Sequence, residues 1–106
     1  MKKNISFDEI QSQINDWIHN HGDYWPPLSM LSAVMEELGE LAREINHQEG
    51  FKPKKLQQSE SKLEEELGDL QFSIVCIANY YKIDLVDVLM KTMKKYFKRD
   101  SIRFEG

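Results

Sequence analysis

Two stretches of this 106-residue chain nearly repeat each other: Glu36-Glu37-Leu38-Gly39-Glu40-Leu41 and Glu65-Glu66-Leu67-Gly68-Asp69-Leu70. Each holds acids three residues apart, Glu37 with Glu40 and Glu66 with Asp69. Acids at i and i+3 share one side of a helix. Two such helices laid side by side bring four carboxylates together, which repel or raise one another's pKa unless a cation balances them. An all-oxygen donor set suits a hard divalent cation, Mg²⁺ or Mn²⁺.

The elements that must position these acids read as helices throughout. Ser6-Phe7-Asp8-Glu9 is a capping-box pattern and starts a first helix, about 7–20. Pro26-Pro27 suits a helix start, and a second helix follows over about 28–49, ended by Gly50. The polar, basic segment from Gly50 to Ser59 reads as a loop between antiparallel helices. Ser59 or Ser61 caps a third helix, about 60–79, and Asp84 caps a fourth, about 84–99, with a loose tail after Asp100. No strand pattern with turn chemistry occurs. The expected architecture is all-α, a four-helix bundle-like single domain over 1–106.

At ~100° per residue, Glu37 and Glu40 fall to one side of the stripe Leu31, Val34, Leu38, Leu41 and Ile45. Glu66 and Asp69 repeat that phase beside Leu63, Leu67, Leu70, Ile74 and Ile77. Both pairs are expected at the border of the core, whereas Glu36, Glu65 and Arg43 point away. Gly39 and Gly68 each cost roughly 1 kcal/mol relative to Ala in a helix interior, and their matched placement suggests close approach of backbone or ligand. Phe72, Val75 and Cys76 lie away from the third stripe. A helix apolar nearly all round is buried all round, so a second subunit is expected against that side.

A second charged row lies on the fourth helix. Lys91, Lys95 and Arg99 follow an i, i+4, i+8 spacing, with Lys94 and Lys98 beside them. Beside a metal–carboxylate cluster such cations suit a polyphosphate. Trp25, just before Pro26, is the candidate for stacking on a nucleobase, with His21 a weaker one and Trp17 assigned to the core. Glu44-Ile45-Asn46-His47 is a lone E-x-x-H, short of the two pairs that a di-iron bundle needs.

Composition bounds the partners. The net charge is −4, with 41% hydrophobic and 30% charged residues, as in an ordinary globular protein. The acids near the basic row oppose a nucleic-acid backbone, so no nucleic-acid partner is expected. No stretch reaches membrane-spanning length, and the single Cys76 reads as a buried thiol in a reducing compartment, which gives a cytoplasmic expectation.

The paired motifs, E-x-x-E followed after residues 41–65 by E-x-x-D, together with Lys95-Tyr96-Phe97-Lys98-Arg99, resemble those of the MazG-like nucleotide pyrophosphohydrolases. The likeness spans about Phe7 to Arg99. Phosphoribosyl-ATP pyrophosphatases and dimeric dUTPases share similar acids. The resemblance implies an all-α bundle assembled as dimer or tetramer. It also implies Mg²⁺-dependent cleavage of a nucleoside triphosphate to monophosphate and pyrophosphate. By motif position it assigns metal binding and catalysis to Glu37, Glu40, Glu66 and Asp69, and phosphate contact to Lys95 and Arg99. Two other readings stay open: a metal or nucleotide sensor without turnover, and a helical interaction module that uses the basic helix.

Overall fold

The computed structural model describes residues 4–50 and 62–105, with side chains through residue 100. Four helices follow one another: α1 (Phe7–His19), α2 (Pro27–Gln48), α3 (Leu63–Tyr80) and α4 (Leu85–Glu105), with no strand among the described residues. The α2–α3 pair forms the main contact, and α1 lies on both α3 and α4.

Local sequence explains the ends. At α1 the Ser6 hydroxyl oxygen accepts the Glu9 N–H at 3.1 Å, satisfying one of the unpaired donors of the first turn. Pro27 sits at the first position of α2, where its missing N–H costs nothing. Past the end of α2, Gly50 takes φ 78°, the left-handed conformation that glycine adopts without penalty. Asp84 caps α4, accepting the Val86 N–H at 2.9 Å.

The start of α3 differs from expectation. Ser59, Ser61 and the loop before them lie outside the described residues. Lys62 occupies the cap position without a side-chain bond of its own. Instead Glu44 reaches across from α2 and accepts the Lys62 N–H at 2.8 Å. A carboxylate there meets both the free amides and the positive end of the α3 dipole. That is why Glu44, an acid, is only 6% exposed.

Gln11 ties α1 to the α3–α4 turn. It is buried, donates to Asn79 Oδ1 and the Ile83 carbonyl at 3.0 Å each, and accepts the Leu85 N–H at 2.9 Å. A buried amide with this many partners is satisfied, and it fixes where α4 departs.

Three expectations are corrected. The tail after Asp100 continues α4 to Glu105, since no Gly or Pro interrupts the sequence before Gly106. Trp17 is 58% exposed rather than in the core, stacked on His21. Most consequential is the phase of α2. Met30 and Glu44 are its buried residues, whereas Leu31, Leu38 and Ile45 of the expected stripe are exposed. The helix is turned roughly 90° from the phase that its leucines suggest, at ~100° per residue. The acids therefore stand within the α2–α3 seam. On α3, Val75 and Cys76 are buried inside the chain and only Phe72 of the expected outer face is exposed.

Candidate active site

The repeated motifs meet where α2 crosses α3. Glu37, Glu66 and Asp69 each bring one carboxylate oxygen to within 4.8 Å of the others. Glu37 and Glu66 are partly buried, and Asp69 is exposed. Burial pushes the Glu37 carboxyl above its ordinary range, with repulsion from Asp69 and Glu66 adding to it. Glu66 is raised likewise, by burial first and then by Glu40 and Asp69. Three oxygens with unrelieved repulsion, open on one side to solvent, form a donor set that fits a hard divalent cation.

Glu40 is one turn along α2 and close enough to press on Glu66, yet its own carboxylate pairs with Arg43. This corrects the expectation that Arg43 points elsewhere. At i, i+3 the long guanidinium stem spans the angular gap. The fourth motif acid is thus held beside the trio by a cation already supplied.

The seam opens onto a cavity of about 410 Å³. Glu37 and Ser73 form its floor toward the acids, and Trp17, Tyr24, Trp25 and Phe72 form aromatic walls. Trp25 is 64% exposed. Acids and stacking surfaces together are what a charged, ring-bearing ligand requires. A larger cleft of about 520 Å³ shares Asp23 and Tyr24 with it and is lined by polar side chains such as Asn15, His19 and Asn79. None of the four motif acids lines it, so the smaller cavity is the one tied to the chemistry.

The basic row stays apart. Among the described residues, none of Lys91, Lys95 and Arg99 pairs with a motif acid. Lys95 and Arg99 lie over the Tyr96 ring at 4.9 and 4.5 Å, and Arg99 meets Asp100 at 3.1 Å.

Spacing alone does not reveal two contributors to this region. Phe72 lines the cavity because it stands three residues after Asp69 and so on the same side of the helix. The capping role of Glu44 depends on the antiparallel register of α2 and α3, which no local pattern encodes.

A family model for the MazG nucleotide pyrophosphohydrolase domain matches residues 26–104. The chain belongs to the MazG nucleotide pyrophosphohydrolase family, a family of hydrolases. The protein YpjD of Bacillus subtilis (strain 168) is 41% identical over 97 residues, covering 91% of this chain and 87% of that one. The crystal structure of YPJD from Bacillus subtilis matches with TM-score 0.81 at 38% identity, over 90% of this chain and 98% of that one. The crystal structure of the Bacillus-conserved MazG protein, a nucleotide pyrophosphohydrolase, matches with TM-score 0.75 at 33% identity, over 90% and 92%. The resemblance carried by the paired motifs is thereby established, and the all-helical architecture with it. No described helix is long and apolar enough to cross a membrane.

Proposed function

We propose that this chain hydrolyses a nucleoside triphosphate to the monophosphate and pyrophosphate, in the cytoplasm, with Mg²⁺ or Mn²⁺ as cofactor. The observation that carries this reading is the meeting of Glu37, Glu66 and Asp69 beside a cavity walled by Trp17, Trp25 and Phe72. Glu37, Glu66 and Asp69 would hold the metal, with Glu40 adjoining. A divalent ion held there would supply charge neutralisation for the phosphates and Lewis-acid polarisation of the scissile phosphoanhydride. The aromatic walls hold the base and exclude water from one side of the substrate. A carboxylate of the seam takes the proton of the attacking water. Oxygen bonds to the α-phosphorus, the bond to the bridging oxygen breaks, and pyrophosphate leaves. Hydrolysis in ¹⁸O-water tests this: label enters the monophosphate. Label in orthophosphate as the first product would defeat the reading.

We also propose that the working form is a homo-oligomer. Leu28, Leu31, Met35 and Leu38 on α2 and Met93 and Phe97 on α4 are all exposed. No side chain of the described residues is wholly buried. A second copy is the natural cover for faces this apolar. Light scattering should give at least twice 12.5 kDa. Met35→Asp with Leu38→Asp should lower that mass, and a wild-type monomer at micromolar concentration would end the proposal.

A further inference from the structure

One side chain on the aromatic cavity has its hydrogen-bonding character fixed by the fold. His21 lies flush on Trp17, ring centroids 4.1 Å apart and planes 13° from parallel. Its Nδ1 is 2.6 Å from the Trp17 carbonyl oxygen. A carbonyl oxygen only accepts, so this contact is a hydrogen bond when Nδ1 carries the proton. In the neutral imidazole that leaves Nε2 with a bare lone pair. The end of α1 thus selects the tautomer, and stacking on Trp17 holds the ring's plane.

The neighbouring polar groups share the same bias. Asp23 Oδ1 accepts the Tyr24 N–H at 2.9 Å and meets His19 Nδ1 at 3.0 Å, and an ionised carboxylate only accepts. The Tyr24 hydroxyl would be the obvious donor, but it is spent on Asn15 Oδ1 at 2.7 Å. Apart from the indole N–H groups, the Ser73 hydroxyl and the weakly donating Cys76 thiol, what the side chains offer on this cavity is acceptors.

We infer that the cavity selects nucleotides whose base carries an amino group where uracil or hypoxanthine carries a keto group, as cytosine and adenine do, and that His21 is the specificity-determining residue, its Nε2 accepting that amino hydrogen. A keto group in the same place would set one lone pair against another and leave Nε2 unpaired, which is the kind of mismatch that discriminates strongly. This rests on the nucleotide reading of the seam.

The experiment compares kcat/KM for CTP against UTP, and ATP against ITP, at about pH 8.5, where imidazoles are neutral. The wild type should favour the amino member of each pair by roughly 10- to 100-fold. His21→Phe keeps an aromatic surface but removes the acceptor, and should bring the ratio to about one. His21→Gln, which returns an acceptor oxygen at similar reach, should recover part of the preference. ¹⁵N NMR of the full chain should find the His21 proton on Nδ1. A proton on Nε2, a ratio unchanged in His21→Phe, or a wild-type preference for UTP would each overturn the assignment. If no nucleotide yields pyrophosphate, the reading of the seam itself fails. Equal turnover of CTP and UTP defeats only the role of His21.

Discussion

The α2–α3 seam and the exposed row on α4 are both strongly charged in sequence and unlike in the folded chain. Both consist of residues at helical spacing, and both invite a ligand of opposite sign. The seam places its acids between two helices, where partial burial and mutual repulsion raise Glu37 and Glu66. The α4 row keeps its cations in solvent, where they settle on Tyr96 and Asp100. Periodicity puts like charges in line. Only packing against a second helix turns the line into a site, because desolvation is what makes each charge depend on its neighbours.

The sharpest way to break this contrast is to neutralise the seam. Asp69→Asn or Glu66→Gln should lower kcat/KM by at least ~10³-fold, the scale of losing an electrostatic group that acts in the transition state. Titration calorimetry with Mn²⁺ should show binding lost in both. Glu40→Gln should do less on both counts, since Glu40 pairs with Arg43 outside the trio. Equal losses at Glu40 and Asp69 would mean that four acids act as one set. In the absence of metal, Asp69→Asn should fold with stability equal to or above wild type, because repulsion is removed.

The α4 row is tested next. Arg99→Ala should lower kcat/KM by roughly 10- to 1,000-fold if the row meets phosphates, the span of one to three lost charge-assisted contacts. Within one chain α4 rests on α1 and the row reaches none of the motif acids. Its route to a substrate would therefore run through an oligomer, with α4 of one subunit serving the seam of another. Mixing the impaired Arg99→Ala with the impaired Asp69→Asn should then give more activity than the sum of the two alone, because mixed oligomers contain some intact sites. Full activity in the Lys95→Ala, Arg99→Ala double variant would leave the row a solvated face.

How much of this was legible in the sequence follows from the same contrast. The repeated E-x-x-E and E-x-x-D motifs and the capping signals at Ser6, Pro27 and Asp84 are local, and local chemistry reads directly from residue order. The phase of α2 does not. Its leucines define a stripe around Leu38, but Leu31, Leu38 and Ile45 of that stripe are exposed, and Met30, Glu37 and Glu44 turn inward instead. A helix with two apolar flanks has two ways to pack, and which one faces inward is decided by the partner helix. Val75 and Cys76 depart from expectation for the same reason. Trp17 was misread because an apolar face is not buried unless something covers it.

Protonation sharpens the picture of the seam at smaller amplitude. Glu37 and Glu66 hold protons more tightly in the folded chain than their ordinary value of 4.5 allows. The folded state therefore binds more protons than the unfolded one above that value. Stability of the metal-free protein should fall as pH rises from about 4.5 through the raised values, and return on acidification. Calorimetry with chelator at about pH 7.5 and 5.5 should show wild-type Tm gaining more on acidification than Glu37→Gln does. Asp8, also raised by its neighbour Asp84, contributes equally to both proteins and cancels in the difference. The metal should bind more weakly at the lower pH, since its ligands must ionise first. Identical pH responses in the two proteins would show that the seam does not feel its own charge.

The smallest expected effect concerns the motif glycines. Their matched positions suggested close approach of another group, yet a Cβ built at Gly39 or Gly68 meets nothing within 4 Å. Neither glycine has a positive φ. With space available and helical backbone, alanine should stabilise by roughly 0.5–1 kcal/mol at each site, since glycine loses the most conformational freedom on folding. That expectation holds for the chain alone. At ~100° per residue, Gly39 lies on the side of α2 that carries Leu28 and Met35, the exposed apolar flank. Should a second subunit pack there, the added methyl would meet it. Gly39→Ala would then raise Tm at low protein concentration while weakening self-association. Concentration-dependent Tm measurements separate the two. A uniform gain means that the glycine flank stays open in the assembly. A gain that vanishes or reverses as concentration rises means that the close approach suggested by the repeated motif comes from the partner. Uniform destabilisation at every concentration would contradict both, and would point to a neighbour of Gly39 inside the chain.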